Sequence, residues 1–265
     1  MLTSQGQAQG EAGATAAEAS AVRLTTRRQM PKTTGRVGWQ IIEEVAVWRA
    51  SETAIVIVDM WDTHWSRGAV ERVNVLAPRI NVVVSAARAR GIQIIHAPSD
   101  VVEGYADHPA RRRVASIPHS ALPTLDVRPD PPLPIDDSDE GSDTGEQTVS
   151  LPWTRQHAAI DIATDDLISA DGQEIYNILR YQGIAHLIYM GVHTNMCVLN
   201  RPFGIKRMVR YGFTAVLARD LTDSMYNPLR PPYVSHDEGT QLVIGYIEKF
   251  WCPTIASDDL TIQAE

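Results

Sequence analysis

The stretch from Leu187 to Asp220, LIYMGVHTNMCVLNRPFGIKRMVRYGFTAVLARD, decides the fold predicted for this chain. The apolar run over residues 184–190 contains β-branched side chains typical of a buried parallel strand, and Gly191 ends it. Polar residues that can cap a helix follow, and Cys197 comes directly after them. A second strand-like run covers residues 214–218. The pattern predicts a strand, a tight turn, a cysteine in the first turn of a helix, and another strand.

Pro202 predicts that this helix is interrupted. It follows Cys197 by five residues, where a proline inside a helix would remove a hydrogen bond. We therefore expect a break near Arg201–Phe203, with the helix resuming through Tyr211. Such a break would turn Arg201 towards a pocket at the turn, where its charge suits an anionic substrate.

The position of Cys197 suggests a nucleophile. A thiol at the start of a helix faces backbone N–H groups and the positive end of the helix dipole, which both favour the thiolate. The same N–H groups can stabilise an oxyanion.

The rest of the chain alternates between strand and helix patterns, which predicts an α/β fold with a parallel sheet covered on both faces. The fully apolar run TAIVIV ends at Asp59. The other predicted elements are a helix over 70–90, a strand over 93–96, a short strand over 159–163, a helix over 166–180, a helix over 240–250 and an edge strand over 252–255. Residues 39–48 fit either a strand or a short helix.

Composition narrows the class of protein. With 32 acidic and 24 basic residues the net charge is −8, which argues against a nucleic-acid partner. Two cysteines suit a reducing compartment, so we expect a cytoplasmic protein, and no apolar run approaches the length of a membrane span. We expect a disordered tail over residues 1–21 and a single domain over 22–265. An acidic loop or lid over about 126–146 interrupts that domain.

Ligands in such sheets bind beyond the carboxyl ends of the strands. Asp59, His96, the Gly191–Cys197 turn and Asp220 all follow predicted strands, so we expect them to surround one small-molecule pocket. Trp61 lies in the loop after Asp59, where it could stack on a planar substrate.

Three segments carry a resemblance to a known family: AIVIVDMWD, GIQIIHAPSD and GVHTNMCV. Together they resemble the isochorismatase-like cysteine hydrolases, which include the nicotinamidases. The resemblance implies a three-layer α/β/α sandwich with a mainly parallel, Rossmann-like sheet, and a homo-oligomer. It also implies an Asp–Lys–Cys triad that cleaves a small amide or related C–N bond through a thioester, with Asp59 as general base and Cys197 as nucleophile. A cis peptide bond before the cysteine would fall at Val192–His193.

The chain departs from this family at the lysine. The expected position falls near Thr164 or Asp165, and no lysine is present there. Arg155, His157, Lys206 and Arg201 are the nearby basic residues, and the sequence does not choose among them. A non-catalytic binding protein on the same fold therefore stays open as an alternative.

A metal-assisted hydrolase is the third hypothesis. The resemblance requires no cofactor but leaves a divalent metal open, and Asp62, His64 and His96 could provide two histidines and a carboxylate. The nicotinamidase metal element would need a histidine at position 102, which is a valine here. The residues expected to contact substrate are His193, Asn195, His96, Trp61, His64 and Arg201.

Overall fold

The computed structural model describes residues 21–261. The tail predicted over residues 1–21 lies outside this range, apart from Ala21, which begins the first strand. The strands are β1 Ala21–Pro31, β2 Trp39–Arg49, β3 Thr53–Val58, β4 Gln93–Ala97, β5 Leu167–Ile168, β6 His186–Val192, β7 Thr214–Asp223 and β8 Thr254–Ile255. The α-helices are α1 Arg67–Ala89, α2 Pro109–Val114, α3 Gly172–Gln182, α4 Ile205–Arg210, α5 His236–Phe250 and α6 Asp258–Thr261.

All eight strands form one mixed sheet in the order β2-β1-β8-β7-β6-β3-β4-β5. The six strands from β8 to β5 are parallel, which confirms the mainly parallel sheet predicted from sequence. The hairpin of β1 and β2 adds two antiparallel strands at one edge, so the ambiguous segment 39–48 is a strand.

Strand β3 lies in the middle of the structure and contacts both helical layers. All six of its residues are buried. Ala54, Val56 and Val58 pack in the core cluster that contains residues of α3, α4 and α5. Ile55 and Ile57 point to the opposite face and pack in the cluster that contains α1. Successive side chains of a strand alternate between faces, so a continuous apolar run is what a three-layer sandwich needs.

The chain between α2 and α3 differs from the sequence-based prediction. Residues 159–163 are not a strand, because the backbone N–H of Ala163 donates to the Asp166 carboxylate instead of to a neighbouring strand. The strand begins later, at Leu167, and the following helix begins only at Gly172, after the capping residue Asp171.

The strand predicted for the C-terminal part was expected at the sheet edge. Thr254–Ile255 instead lies between β1 and β7, because the N-terminal hairpin extends the sheet beyond it.

The acidic segment 126–146 has no helix or strand, yet it is tied to the domain by paired charges. Arg72 of α1 binds Asp143 through two hydrogen bonds of 2.8 and 3.0 Å. Arg230 binds Asp136 at 2.7 Å. These contacts hold the segment against the carboxyl ends of the central strands.

We found no helix within residues 21–261 that combines the length and the apolar character needed to cross a membrane.

Candidate active site

The pairing of β3 with β6 brings Asp59 to the cysteine turn. In this parallel pair Val58 is opposite Gly191, so the residues that follow both strands leave the sheet side by side. Gly191 has φ +110°, and a Cβ there would meet the backbone of Val58. Glycine at this position therefore permits the close approach of the two strand ends.

The Asp59 carboxylate is fully buried and has a partner for each oxygen. The backbone N–H of Ser99 donates to Oδ1 at 2.7 Å, and Nε of Arg201 donates to Oδ2 at 3.0 Å. The Cys197 thiol is close enough to this carboxylate to lower its pKa. Burial raises the pKa of Asp59, while Arg201 and the hydrogen bonds oppose that rise. The carboxylate is therefore positioned to accept a proton from sulfur.

The Cys197 thiol rests in its protonated form, contrary to the expectation of a stabilised thiolate. Burial and the adjacent Asp59 raise its pKa, and together they exceed the lowering effects of Arg201 and of the His193 backbone N–H. The helical turn that carries the cysteine, Thr194–Val198, is only five residues long. A short turn offers a weak dipole, so burial and the neighbouring carboxylate together favour the protonated thiol.

The peptide bond between Val192 and His193 is cis, as the family resemblance implied. The same bond leads directly into the turn that bears Cys197.

Arg201 places a positive charge beside both Asp59 and Cys197. The helix breaks at Arg201–Gly204 and resumes at Ile205, which confirms the interruption predicted from Pro202. Nη2 of Arg201 also lies 3.5 Å from Oδ2 of Asp100. The guanidinium is thus paired with two carboxylates instead of standing free for an anionic substrate.

The region expected to hold the family lysine does not reach this site. The backbone carbonyl of Asp165 accepts a hydrogen bond from Gln93, the first residue of β4. Because the site is at the carboxyl ends of the strands, Thr164 and Asp165 lie at the wrong end of the sheet. The nearby cation comes instead from the residue one helical turn after Cys197.

A cavity of about 400 Å³ opens above Cys197 and Arg201. Trp61, His64 and His193, three of the expected substrate contacts, line it. The other lining residues are Trp65, Asp100, Glu140, Thr148, Leu151, Trp153, Met196 and Met225.

Four of these lining residues come from the acidic segment and the chain just after it, and sequence reasoning did not identify them as site residues. They are Glu140, Thr148, Leu151 and Trp153. The cluster Leu151-Pro152-Trp153 was an available signal, since large apolar residues after a long polar segment suggest a return to the core. The ring of Trp153 stacks on that of Trp61 with a centroid distance of 4.2 Å. Glu140 of the acidic segment and the chain just after it therefore form one wall of the pocket.

His96 and Asn195 were expected to contact substrate, and neither lines the cavity. His96 is fully buried and its two ring nitrogens lie 2.9 and 3.0 Å from Gln156 and Asp166. Asn195 donates to Asp137 of the acidic segment at 2.8 Å, so it positions the pocket wall.

Asp220 is also remote from the pocket. β7 continues past it to Asp223, and its carboxylate accepts hydrogen bonds from the backbone and hydroxyl of Ser257.

The three residues proposed as metal ligands are not brought together. Asp62 accepts hydrogen bonds from Thr154, and His96 is engaged as described. His64 instead contacts aromatic rings, including that of His193 at 5.0 Å between centroids. Within residues 21–261 no cluster of three or more histidine, cysteine, aspartate or glutamate side chains has a metal-binding arrangement. The described structure therefore does not present Asp62, His64 and His96 as one set of metal ligands.

Comparison with known proteins identifies the family. The model of the isochorismatase domain matches residues 53–230, which include β3, the cysteine turn and the acidic segment. The chain belongs to the isochorismatase family. Among curated relatives, this family member is 29% identical over 162 residues to the ureidoacrylate amidohydrolase RutB of Pantoea ananatis (strain LMG 20103). That match spans 56% of the chain and 60% of the relative.

A solved structure supports the fold. The cysteine hydrolase from Pseudomonas syringae pv. phaseolicola 1448A superimposes with a TM-score of 0.53 at 16% identity, covering 87% of this chain and 97% of that protein. This similarity confirms the isochorismatase-like α/β fold expected from the three sequence segments.

Proposed function

We propose that this isochorismatase-family protein hydrolyses a small amide or related C–N bond through a thioester on Cys197. The observation that carries the proposal is the contact of three groups: the Cys197 thiol and the Arg201 guanidinium, which line one cavity, and the buried Asp59 carboxylate beside them. A nucleophile with an adjacent base, itself held by a third group, is the arrangement that covalent catalysis requires. The similarity to an amidohydrolase supports the choice of reaction.

The first half of the reaction forms the thioester. The sulfur of Cys197 attacks the carbonyl carbon of the substrate as Asp59 accepts the thiol proton, giving a tetrahedral oxyanion. The backbone N–H of His193 lowers the pKa of this thiol, so it is close enough to stabilise negative charge that develops there. The C–N bond then breaks, and protonated Asp59 donates its proton to the departing amine.

The second half releases the product. A water molecule attacks the thioester carbonyl as Asp59 accepts one of its protons. The C–S bond then breaks and the proton returns to sulfur, so the carboxylic acid leaves and the enzyme regains its starting state.

Arg201 takes the role that the family resemblance assigns to lysine. Its contact with Oδ2 favours the ionised form of Asp59 and opposes the rise in the pKa of this carboxyl group that burial causes, and Asp100 in turn fixes the guanidinium. A residue that acts through Asp59 in this way is a positioning residue.

Turnover of a panel of small amides and ureides, followed by release of ammonia, tests the proposal. We expect activity in the unmodified chain and its loss in Cys197→Ala and Asp59→Asn, with both variants retaining their thermal unfolding transition. Equal activity of Cys197→Ala and the unmodified chain would contradict the thioester route. Ligand binding without turnover by the unmodified chain would favour the alternative of a binding protein.

A further inference from the structure

The charges around the cavity are unbalanced. Among the described residues that line it, Arg201 alone carries a permanent positive charge, and Asp59 and Asp100 already pair with that charge. Glu140 adds a further, exposed carboxylate to the lining, and its side chain makes no ion pair among the described residues. The pocket therefore has a net negative charge.

The histidines of the cavity do not compensate for this charge. Burial lowers the pKa of His64 to about 4, with a further contribution from Arg72. Burial also lowers the pKa of His193, and the neighbouring His64 adds to that effect. Both imidazoles are therefore neutral at physiological pH.

The aromatic surface favours the same class of ligand. Trp61, Trp65 and Trp153 all line the cavity, and indole faces attract cations through their π electrons. The ring of His64 is nearly parallel to that of Trp153, with an interplanar angle of 17° and a centroid distance of 5.4 Å. A flat wall of this kind suits a small, planar or cationic group.

One polar atom beside the cavity is buried without a partner. His193 is only 2% exposed, and its Nε2 atom has no hydrogen-bond partner within residues 21–261. A buried polar atom without a partner is unfavourable. A neutral imidazole can either donate to a carbonyl or accept from an N–H group.

We propose that this cavity selects small amides whose remaining part carries a positive charge or no charge, and that Glu140 and Asp100 exclude amides that carry a carboxylate. The reaction on such amides rests on the proposed function, whereas the selectivity is a property of binding. The acidic segment thus acts as a specificity element as well as a pocket wall.

Three probes of similar size test the selectivity: 1-methylpyridinium-4-carboxamide, benzamide and 4-carbamoylbenzoate. Their dissociation constants are measured by calorimetry on Cys197→Ala, which cannot form the thioester, and their kcat/KM values on the unmodified chain. We expect the cation to bind at least as tightly as benzamide, and 4-carbamoylbenzoate to bind at least about tenfold more weakly, because its carboxylate would lie near the like charges of Glu140 and Asp100.

Glu140→Gln identifies the source of the selectivity. Made in the Cys197→Ala background, it should narrow the difference in affinity between the cationic and anionic probes by several-fold. Glu43→Gln is the matched control, because Glu43 is an exposed carboxylate on β2 and does not line the cavity. The control variant should leave the difference in affinity between the cationic and anionic probes unchanged.

The outcomes separate this inference from the proposed function. If the probes bind in the expected order but the unmodified chain cleaves none, the selectivity stands and the amidase proposal fails. If the chain cleaves 4-carbamoylbenzoate as efficiently as benzamide, the amidase proposal stands and the selectivity fails. Absence of binding by all three probes, or equal effects of Glu140→Gln and Glu43→Gln, would overturn the selectivity.

Discussion

Replacing Arg201 with leucine should shift the acidic limb of the pH–rate profile to higher pH. Asp59 must be ionised to accept the proton of Cys197, so kcat/KM falls as pH decreases through the pKa of this carboxyl group. Burial raises that pKa in the folded protein, and Arg201 is the largest opposing influence. Without Arg201 the pKa of Asp59 rises further, and activity is lost at a higher pH than in the unmodified chain.

The size of the shift follows from the contact. Opposite charges 3.0 Å apart attract by about 5.5 kcal/mol at an effective dielectric constant of about 20. The Arg201 side chain is 29% exposed, so water reduces this value. A neighbouring arginine typically lowers the pKa of an aspartate by about 1–3 units, or about 1.4–4 kcal/mol. We therefore expect the acidic limb to move upward by about that number of units.

The assay is kcat/KM from pH 4 to pH 9 on any amide that the unmodified chain cleaves. Arg201→Lys is the companion variant, since it keeps a positive charge but replaces the planar guanidinium with a single ammonium group. It should show a smaller shift than Arg201→Leu. An acidic limb that stays in place in Arg201→Leu, with only a uniform loss of rate, would refute the assignment of Arg201 as the group that keeps Asp59 ionised.

Three further predictions follow. Iodoacetamide should modify Cys197 faster than Cys252 in the folded protein, because Cys197 lines the cavity whereas Cys252 is 2% exposed. Peptide mass spectrometry measures both rates, and faster modification of Cys252 would contradict the placement of Cys197 in the pocket. Although burial opposes it, the hydrogen bond to Asp223 raises the pKa of His236. Charged His236 should therefore stabilise the folded protein compared with His236→Gln. This contribution to the free energy of unfolding should be complete below the unfolded pKa of histidine, about 6.5, and should disappear as pH rises through the higher folded pKa. Denaturant titrations of both proteins at several pH values measure it. Gly141→Ala should lower the free energy of unfolding by about 1–3 kcal/mol and reduce activity. Gly141 has φ +73°, and a Cβ there would meet neighbouring backbone. Unchanged denaturation and turnover would show that the acidic segment adapts to the added side chain.

The sequence alone determined the central α/β unit. The apolar runs of β3 and β6 are long enough and sufficiently β-branched to specify buried parallel strands, and Asp59 and Cys197 follow from where those runs end. Pro202 fixed the break in the following helix, since a proline cannot continue the backbone hydrogen bonds. These features depend on local residue spacing and backbone chemistry, which can be inferred directly from the sequence.

Only the tertiary structure decided which charges meet. The sequence offered four basic residues for the role of the lysine, and strand register and the helix break together bring Arg201 within 3.0 Å of Asp59. Likewise, His96 was expected to line the pocket, but in the structure it is buried and contacts Asp166. The acidic segment became a pocket wall through ion pairs with residues far away in sequence, such as Arg72. Contacts of this kind depend on distances across the fold, and no local pattern of residues encodes them.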